Sequence, residues 1–204
     1  MTARAVHTVG HSNHPIGGFV DLLRRHGVDA VADVRSHPYS RFAPQFRREP
    51  LRAALEAAGI AYVFLGAELG ARTADPACYR DGVVDYALLA RQPGFRAGLD
   101  RVERGAGEHH VCLMCMERDP LACHRCILVG RRLAERGIAL RHILFDGGIE
   151  TGEEAEARLV RETGTTQGDV LAGDDPVARA DAIRGRAIGH RRRPAARYET
   201  QILK

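Results

Sequence analysis

The segment Cys115-Met-Glu-Arg-Asp-Pro-Leu-Ala-Cys-His-Arg125 brings two thiols, a carboxylate, an imidazole and a guanidinium into one short stretch. A positioned carboxylate or imidazole moves protons, a thiolate attacks electrophiles, and a guanidinium holds phosphate or carboxylate. Cys115, Glu117, Cys123 and His124 are therefore candidate catalytic residues, and Arg125 is a candidate substrate ligand. Outside the segment, His11 is a candidate proton donor, while Ser12, Asp33, Arg35 and Arg41 are candidate substrate-binding residues. Blander readings compete at several positions. Cys78, Cys112 and Cys126 read as core thiols, Asp33 as a turn cap and His124 as a helix-surface residue.

The spacing Cys112-x2-Cys115-x7-Cys123-x2-Cys126 has the outline of a zinc site. The gap between the two pairs is shorter than that of the usual zinc ribbon. Cys112 and Cys115 also lie three apart on an expected strand, where odd offsets point to opposite faces. Neither a metal nor a cofactor is expected on these grounds.

The positioning elements follow from hydrophobic pattern and turn residues. Strands are expected at Ala5 to Val9, Ala30 to Val34, Ile60 to Leu65, His110 to Met116 and Leu140 to Phe145. Helical patterns lie between them: one opened by Pro15 and stopped at Gly27, one from Leu51 to Ala58, and pieces at Tyr86 to Leu89 and Phe95 to Val102. Asp119-Pro120 supplies an N-cap and first helical residue for a helix expected to run to about Arg136 and to stop at Gly137. Residues 66 to 84 read as loop. Alternating strands and helices predict an α/β fold: a single three-layer domain with a mainly parallel sheet of about five strands flanked by helices, plus a basic C-terminal tail. The expected division is a core over 1–150, a further helix over 151–163, and linker and tail over 164–204, mobile at Arg191-Arg-Arg-Pro194 and dispensable after about Pro176.

In open α/β sheets ligands bind beyond the carboxyl ends of the strands. His11 and Ser12, Asp33 and Arg35, and Cys115 and Glu117 all fall at such ends. The helix expected at Pro120 would aim its unpaired N–H groups and positive dipole end at the same place, favouring a thiolate or an anion.

Composition narrows the class. Five cysteines, four of them between Cys112 and Cys126, do not form a secreted disulfide framework. No apolar run spans a membrane and the start of the chain shows no signal pattern, so a cytoplasmic location and no membrane partner are expected. Net charge is +4, but from residue 177 onward eight Arg/Lys face two acids, so the basic excess belongs to the tail. Only one cation, Lys204, is a lysine.

Thr8-Val-Gly-His-Ser12, Ala32-Asp-Val-Arg-Ser36, Ser40-Arg-Phe-Ala-Pro-Gln-Phe46 and Cys115-x-Glu-x-x-Pro-x-x-Cys-His-Arg125 together resemble the domain-of-unknown-function 488 family of bacteria and archaea. Order and spacing match over about residues 5 to 147, with His142-Ile-Leu144 and Asp146-Gly147 resembling the family's ending. The resemblance implies a compact α/β domain and groups Cys115, Glu117, Cys123, His124 and Arg125 as one unit. It leaves out Cys112, Cys126 and the basic tail, and implies no reaction.

Three functions fit. The first is an enzyme acting on nucleotides or nucleic acid, by hydrolysis or at a glycosidic bond. Glu117 would be base or nucleophile, His11 or His124 the proton donor, and Arg35 and Arg125 the phosphate holders. The second is sulfur transfer or redox exchange with Cys115 as nucleophile and Cys123 resolving it, which requires the loop to fold back. The third is a non-catalytic nucleic-acid-binding module using the tail. Scarce aromatic residues, 5% of the chain, weigh against base stacking. The expected partner is an anionic substrate, with nucleotides and nucleic acid as the candidates; oligomeric state stays open.

Overall fold

A computed structural model describes residues 5–165 and 175–192. Strand β1 (Ala5–Gly10) leads to helix α1 (Ile16–Arg25), and β2 (Ala30–Asp33) to α2 (Arg48–Ala57). Strand β3 (Ala61–Phe64) is followed by a single turn, α3 (Gly66–Leu69), and by a small hairpin of β4 (Tyr79–Arg80) and β5 (Val83–Val84). Helices α4 (Tyr86–Leu89) and α5 (Pro93–Gly105) precede β6 (Val111–Cys115). A π-helical stretch, Arg125–Gly130, runs on into α6 (Arg131–Ala134), and then come β7 (Ala139–Ile143), β8 (Ile149–Thr151), α7 (Gly152–Thr163) and α8 (Pro176–Ile188).

The sheet has six strands in the order β3-β2-β6-β1-β7-β8, parallel throughout except for the antiparallel β7–β8 edge pair. That is one strand more than the pattern predicts. The three-residue β8 and the two-residue strands of the hairpin, which fall in or beside segments read as loop, are too short to carry a periodic signal. Alternation along the strands sorts side chains to two cores. Val9, Val31, Cys112 and Met114 pack against Phe19, Leu22 and Leu23 of α1 and Leu51 and Leu55 of α2. Val6, Ala32, Leu113 and Cys115 face Phe95, Leu99 and Val102 of α5 and Leu133 of α6. Cys112 and Cys115 thus occupy opposite faces, which is what their odd offset requires.

Strand β6 is buried along its whole length and lies between β1 and β2. Its register puts Cys115 beside Gly10 and Met114 beside Asp33. The pairing continues past the strand ends: His11 N–H donates to the Cys115 carbonyl, Ser12 N–H to that of Met116 and Val34 N–H to that of Met114. Three strand ends are therefore tied to one another at a single rim. The loop after β6 also passes directly over Gly10, where a Cβ would lie 1.7 Å from the Glu117 carbonyl oxygen. Only glycine fits there.

Two expectations need correction. The helix predicted from Pro120 to about Arg136 is broken. Asp119 does cap it, accepting from Leu121 N–H at 2.9 Å, but Pro120–Ala122 is a single 3-10 turn. Cys123 is extended (φ −138°, ψ 141°), and helical structure resumes at His124. The break turns Arg125 inward beneath the sheet end, a tertiary demand that local propensity does not report.

The second correction concerns the stretch read as linker and tail over 164–204. Within it, α8 is capped by Asp175, whose side chain accepts from the N–H groups of Val177 and Ala178, and it packs against α7. Fully buried Ala180 joins Leu121, Ile127, Ala155 and Leu159 in a third apolar cluster. Beyond α8 the chain pairs with the hairpin, Val84 N–H donating to the His190 carbonyl and Val83 bridging Arg191. Residues 166–174 of the linker and the expected mobile end from residue 193 lie outside the described residues. None of the helices described is long and apolar enough to cross a membrane.

The docked α8 makes a prediction opposite to dispensability. Ala180→Leu should cost about 1–3 kcal/mol through overpacking, read as a lowered urea midpoint with unchanged slope. Ending the chain at residue 175 should lower the thermal midpoint and expose dye-binding apolar surface. Unchanged midpoints in both would show that α8 is not part of the folded unit.

Candidate active site

The rim encloses a cavity of about 420 Å³, walled by Cys115, Glu117, Cys123 and His124 on one side. His11 and Arg35 line it from β1 and β2, and exposed His37, Arg72 and Arg191 stand around it. Tyr86 from α4 and His190 after α8 complete much of the remaining wall. Among the described residues Glu117 is the single carboxylate in that wall.

Arg125 sets the position of the central loop. It is fully buried, and its guanidinium donates to the carbonyls of Glu117 (2.6 Å) and Arg118 (3.3 Å) and to Thr8 Oγ1 (3.4 Å). No carboxylate among the described residues forms an ion pair with it. The thiols supply the compensating charge instead. Burial opposes ionisation of Cys123, but the Cys115 S–H, the Arg125 guanidinium and the His124 ring overcome it and hold its pKa well below the usual thiol value. The Arg125 N–H also donates to Cys123 Sγ at 3.4 Å. Burial and the neighbouring Cys123 charge push Cys115 well up, and the same two causes raise Glu117. Cys115 S–H donates to Glu117 Oε2 at 3.1 Å.

His124 is fixed by its far side, Nε2–H donating to the Val34 carbonyl at 2.9 Å. In the neutral ring that leaves the lone pair on Nδ1, which lies 3.7 Å from Cys115 Sγ and 3.8 Å from Cys123 Sγ. Burial disfavours the imidazolium, yet the Cys123 charge outweighs it and raises the pKa. Cys115, Cys123 and His124 place one ligand atom each within 4.8 Å of one another. The four-thiolate arrangement considered from sequence does not form. A different trio, Cys115, Cys123 and His124, does come together.

The other candidates separate into support and bystanders. Asp33 is fully buried and accepts from Arg35 N, Nε and Nη2 and from the Tyr62 hydroxyl, leaving nothing for substrate. Arg35 also donates through Nη1 to the Phe46 carbonyl (2.8 Å) and to His11 Nε2 (3.1 Å). His11 in turn donates Nδ1–H to the Ser12 carbonyl and stacks on Phe46. Burial first, then Arg35, push His11 down to about 4, so it is a neutral acceptor near pH 7 and not the proton donor expected. Ser12, with φ 44° at a turn, and exposed Arg41 lie outside the cavity wall. The rim residues Arg72, Tyr86, His190 and Arg191 escaped sequence reasoning. They come from segments read as loop, helix fragment and tail, and nothing in their spacing marks them. Tail arginines 184 and 186 are engaged with Glu162 and Asp81.

Residues 15–131 match the family model described as a domain of unknown function, DUF488. The match covers the β6 loop and the Ser40–Phe46 segment, but not Thr8–Ser12 or residues 142–147. No curated protein and no solved structure matches the chain.

Burial of neutral imidazoles generates a pH prediction. His11, lowered to about 4, and His142, lowered to about 3 by burial and then Arg125, are neutral when folded and take up protons on unfolding below about 6.5. Their stabilising contribution is full above that pH and falls as pH drops toward 4 and 3, by roughly 1.4 kcal/mol per histidine per pH unit. Urea unfolding between pH 6 and 4.5 should show this slope, and His142→Gln should remove about one proton from it. A pH-independent stability across that window would contradict the assignment.

Proposed function

The chain belongs to the DUF488 family, a domain of unknown function, and from the geometry of its rim we propose that it is a hydrolytic enzyme acting on a small anionic substrate of the nucleotide class, with Glu117 as general base. The observation that carries this reading is that Glu117 is the lone carboxylate of a cavity whose wall, besides the Cys115 and Cys123 sulfurs, carries the cationic Arg35, Arg72 and Arg191 and several histidines. Exposed His37, Arg72 and Arg191 offer anion contacts around the cavity, while Glu117 is partly withdrawn from water. A volume of about 420 Å³ suits a nucleotide-sized ligand better than a folded nucleic acid. The base removes a proton from water, the resulting hydroxide attacks the substrate, and the proton passes to the leaving group. Arg35 and Arg125 act as positioning residues, since their donors are engaged within the protein.

One observation favours a second reading, thiol chemistry: the loop does fold back, and the Cys115 and Cys123 sulfurs lie within 4.8 Å of each other. In that case Cys123 would attack and Cys115 resolve, the reverse of the order expected from sequence, because the Arg125 backbone N–H donates to Cys123 and the Cys123 thiol is the one held toward its anion.

The test is turnover of a panel of nucleosides, nucleoside monophosphates and free bases, with products separated by chromatography. At least one compound should be hydrolysed, and Glu117→Gln should lower its rate by about 10² or more while keeping the thermal midpoint. Hydrolysis unaffected by Glu117→Gln would overturn the role of Glu117. Turnover that consumes reductant or a sulfur donor in stoichiometric amount would select the thiol reading.

A further inference from the structure

We propose that Cys115 Sγ, Cys123 Sγ and His124 Nδ1 bind one divalent ion of the zinc class, with a fourth position open to the cavity beside Glu117. The inference rests on the hydrolytic reading above only for what the ion does, not for whether it binds.

Three independent observations support binding. The first is the spacing. In a tetrahedron with zinc–sulfur bonds near 2.3 Å and zinc–nitrogen bonds near 2.05 Å, a sulfur and a nitrogen ligand are separated by about 3.5–3.6 Å. The two sulfur–Nδ1 distances here are 3.7 and 3.8 Å. Neither is a good hydrogen-bond length for a neutral histidine, but both are edges of a coordination polyhedron. The second is the tautomer. A metal-ligating histidine characteristically donates its other ring N–H to a carbonyl, which fixes the ring and aims the lone pair. Nε2–H of His124 does this to Val34 at 2.9 Å. The third is charge. Two thiolates and a divalent cation are neutral together, so the site would add no net charge beside the buried Arg125 guanidinium, which holds the Glu117 backbone carbonyl.

The donor set also indicates what the ion would do. Three protein ligands and a cavity on the fourth side are the arrangement of catalytic, not structural, zinc. Two sulfurs and one imidazole, with a glutamate two residues beyond the first ligand, form the inventory with which zinc deaminases attack an aminated base. Here that order is Cys115-x-Glu117 followed by Pro120-x-x-Cys123-His124. The site would take an amino-substituted heterocycle such as a nucleobase or its nucleotide. The ion holds a water, Glu117 accepts one of its protons, and the hydroxide adds to the carbon bearing the amino group. Glu117 returns the proton to the departing nitrogen, the carbon–nitrogen bond breaks, and one water is consumed for each ammonia released. No oxidant or reductant enters.

The experiment uses the full chain, reduced, stripped with a chelator and titrated with cobalt(II) alone. One equivalent should bind and produce a sulfur-to-cobalt charge-transfer band in the near ultraviolet together with intense visible bands of tetrahedral cobalt. Cys123→Ser and His124→Gln should weaken or abolish these bands, while Cys112→Ser and Cys126→Ser, whose sulfurs lie outside the cluster, should leave them unchanged. Folding of each variant is followed by circular dichroism. Alkylation provides a readout that needs no variant: in wild-type protein, zinc should protect Cys115 and Cys123 from iodoacetamide at least tenfold, and chelator should remove the protection. Absence of a charge-transfer band in reduced wild-type protein, or labelling indifferent to zinc, overturns the site. Cobalt bound with these spectra in a protein that hydrolyses none of the panel keeps the site and removes the hydrolytic reading. Hydrolysis persisting in metal-free protein keeps that reading and removes the ion from it.

Discussion

A buried guanidinium that no carboxylate among the described residues pairs with is the constraint from which this molecule is organised. Arg125 sits beneath the end of the central strands and grips the carbonyls of Glu117 and Arg118. Removing a charge from water costs several kcal/mol unless it is compensated, so the surroundings of Arg125 must be electron-rich. They are: two carbonyls, the Thr8 hydroxyl and the sulfur of Cys123. The same cation that holds the loop in shape therefore also holds the thiol next to it toward its anionic form. Shape and reactivity at this rim have one origin.

The interruption after Ala122 serves the same end. A continuous helix from Pro120 would carry Cys123, His124 and Arg125 around a cylinder, 100° apart, and only one of them could face the sheet end. With Cys123 extended and the helix restarted at His124, the thiol and imidazole meet Cys115 while Arg125 turns beneath them. The π-helical turns that follow widen the helix where Arg125 leaves it, the kind of local irregularity found repeatedly at functional sites.

How much of this was legible in the sequence differs by scale. The α/β alternation, the two-faced strand carrying Cys112 and Cys115, and the gathering of Gly10, Asp33 and Cys115 at one rim follow from periodicity and from the rule that places ligands at strand carboxyl ends. Glu117, Cys115, Cys123 and His124 were legible as a group because they are close in sequence. What their neighbours do was not. Asp33 and Arg35 look like ligands in a string of letters, yet they saturate each other and Tyr62 in space. His11 looks like an acid and is a neutral acceptor because Arg35 faces it. Arg72 reaches the site beside Ser36, 36 residues earlier, and Arg191 through its bridge to Val83, 108 residues earlier, and no local pattern encodes either.

The last wall of the cavity carries a consequence for how the protein reaches its working form. Residues 188–191 reach the site only because the chain beyond α8 pairs with Val83 and Val84, a closure spanning more than half the chain. Contacts between such distant positions form late, since a large loop must be ordered before they repay its entropy. On a ribosome, where the amino-terminal part emerges first, every strand of the six-stranded sheet and both sulfurs are synthesised before Ile188 and His190. Until those residues arrive the cavity lacks the wall that Ile188, Gly189, His190 and Arg191 give it, so closure of the site is the last thing the order of synthesis permits.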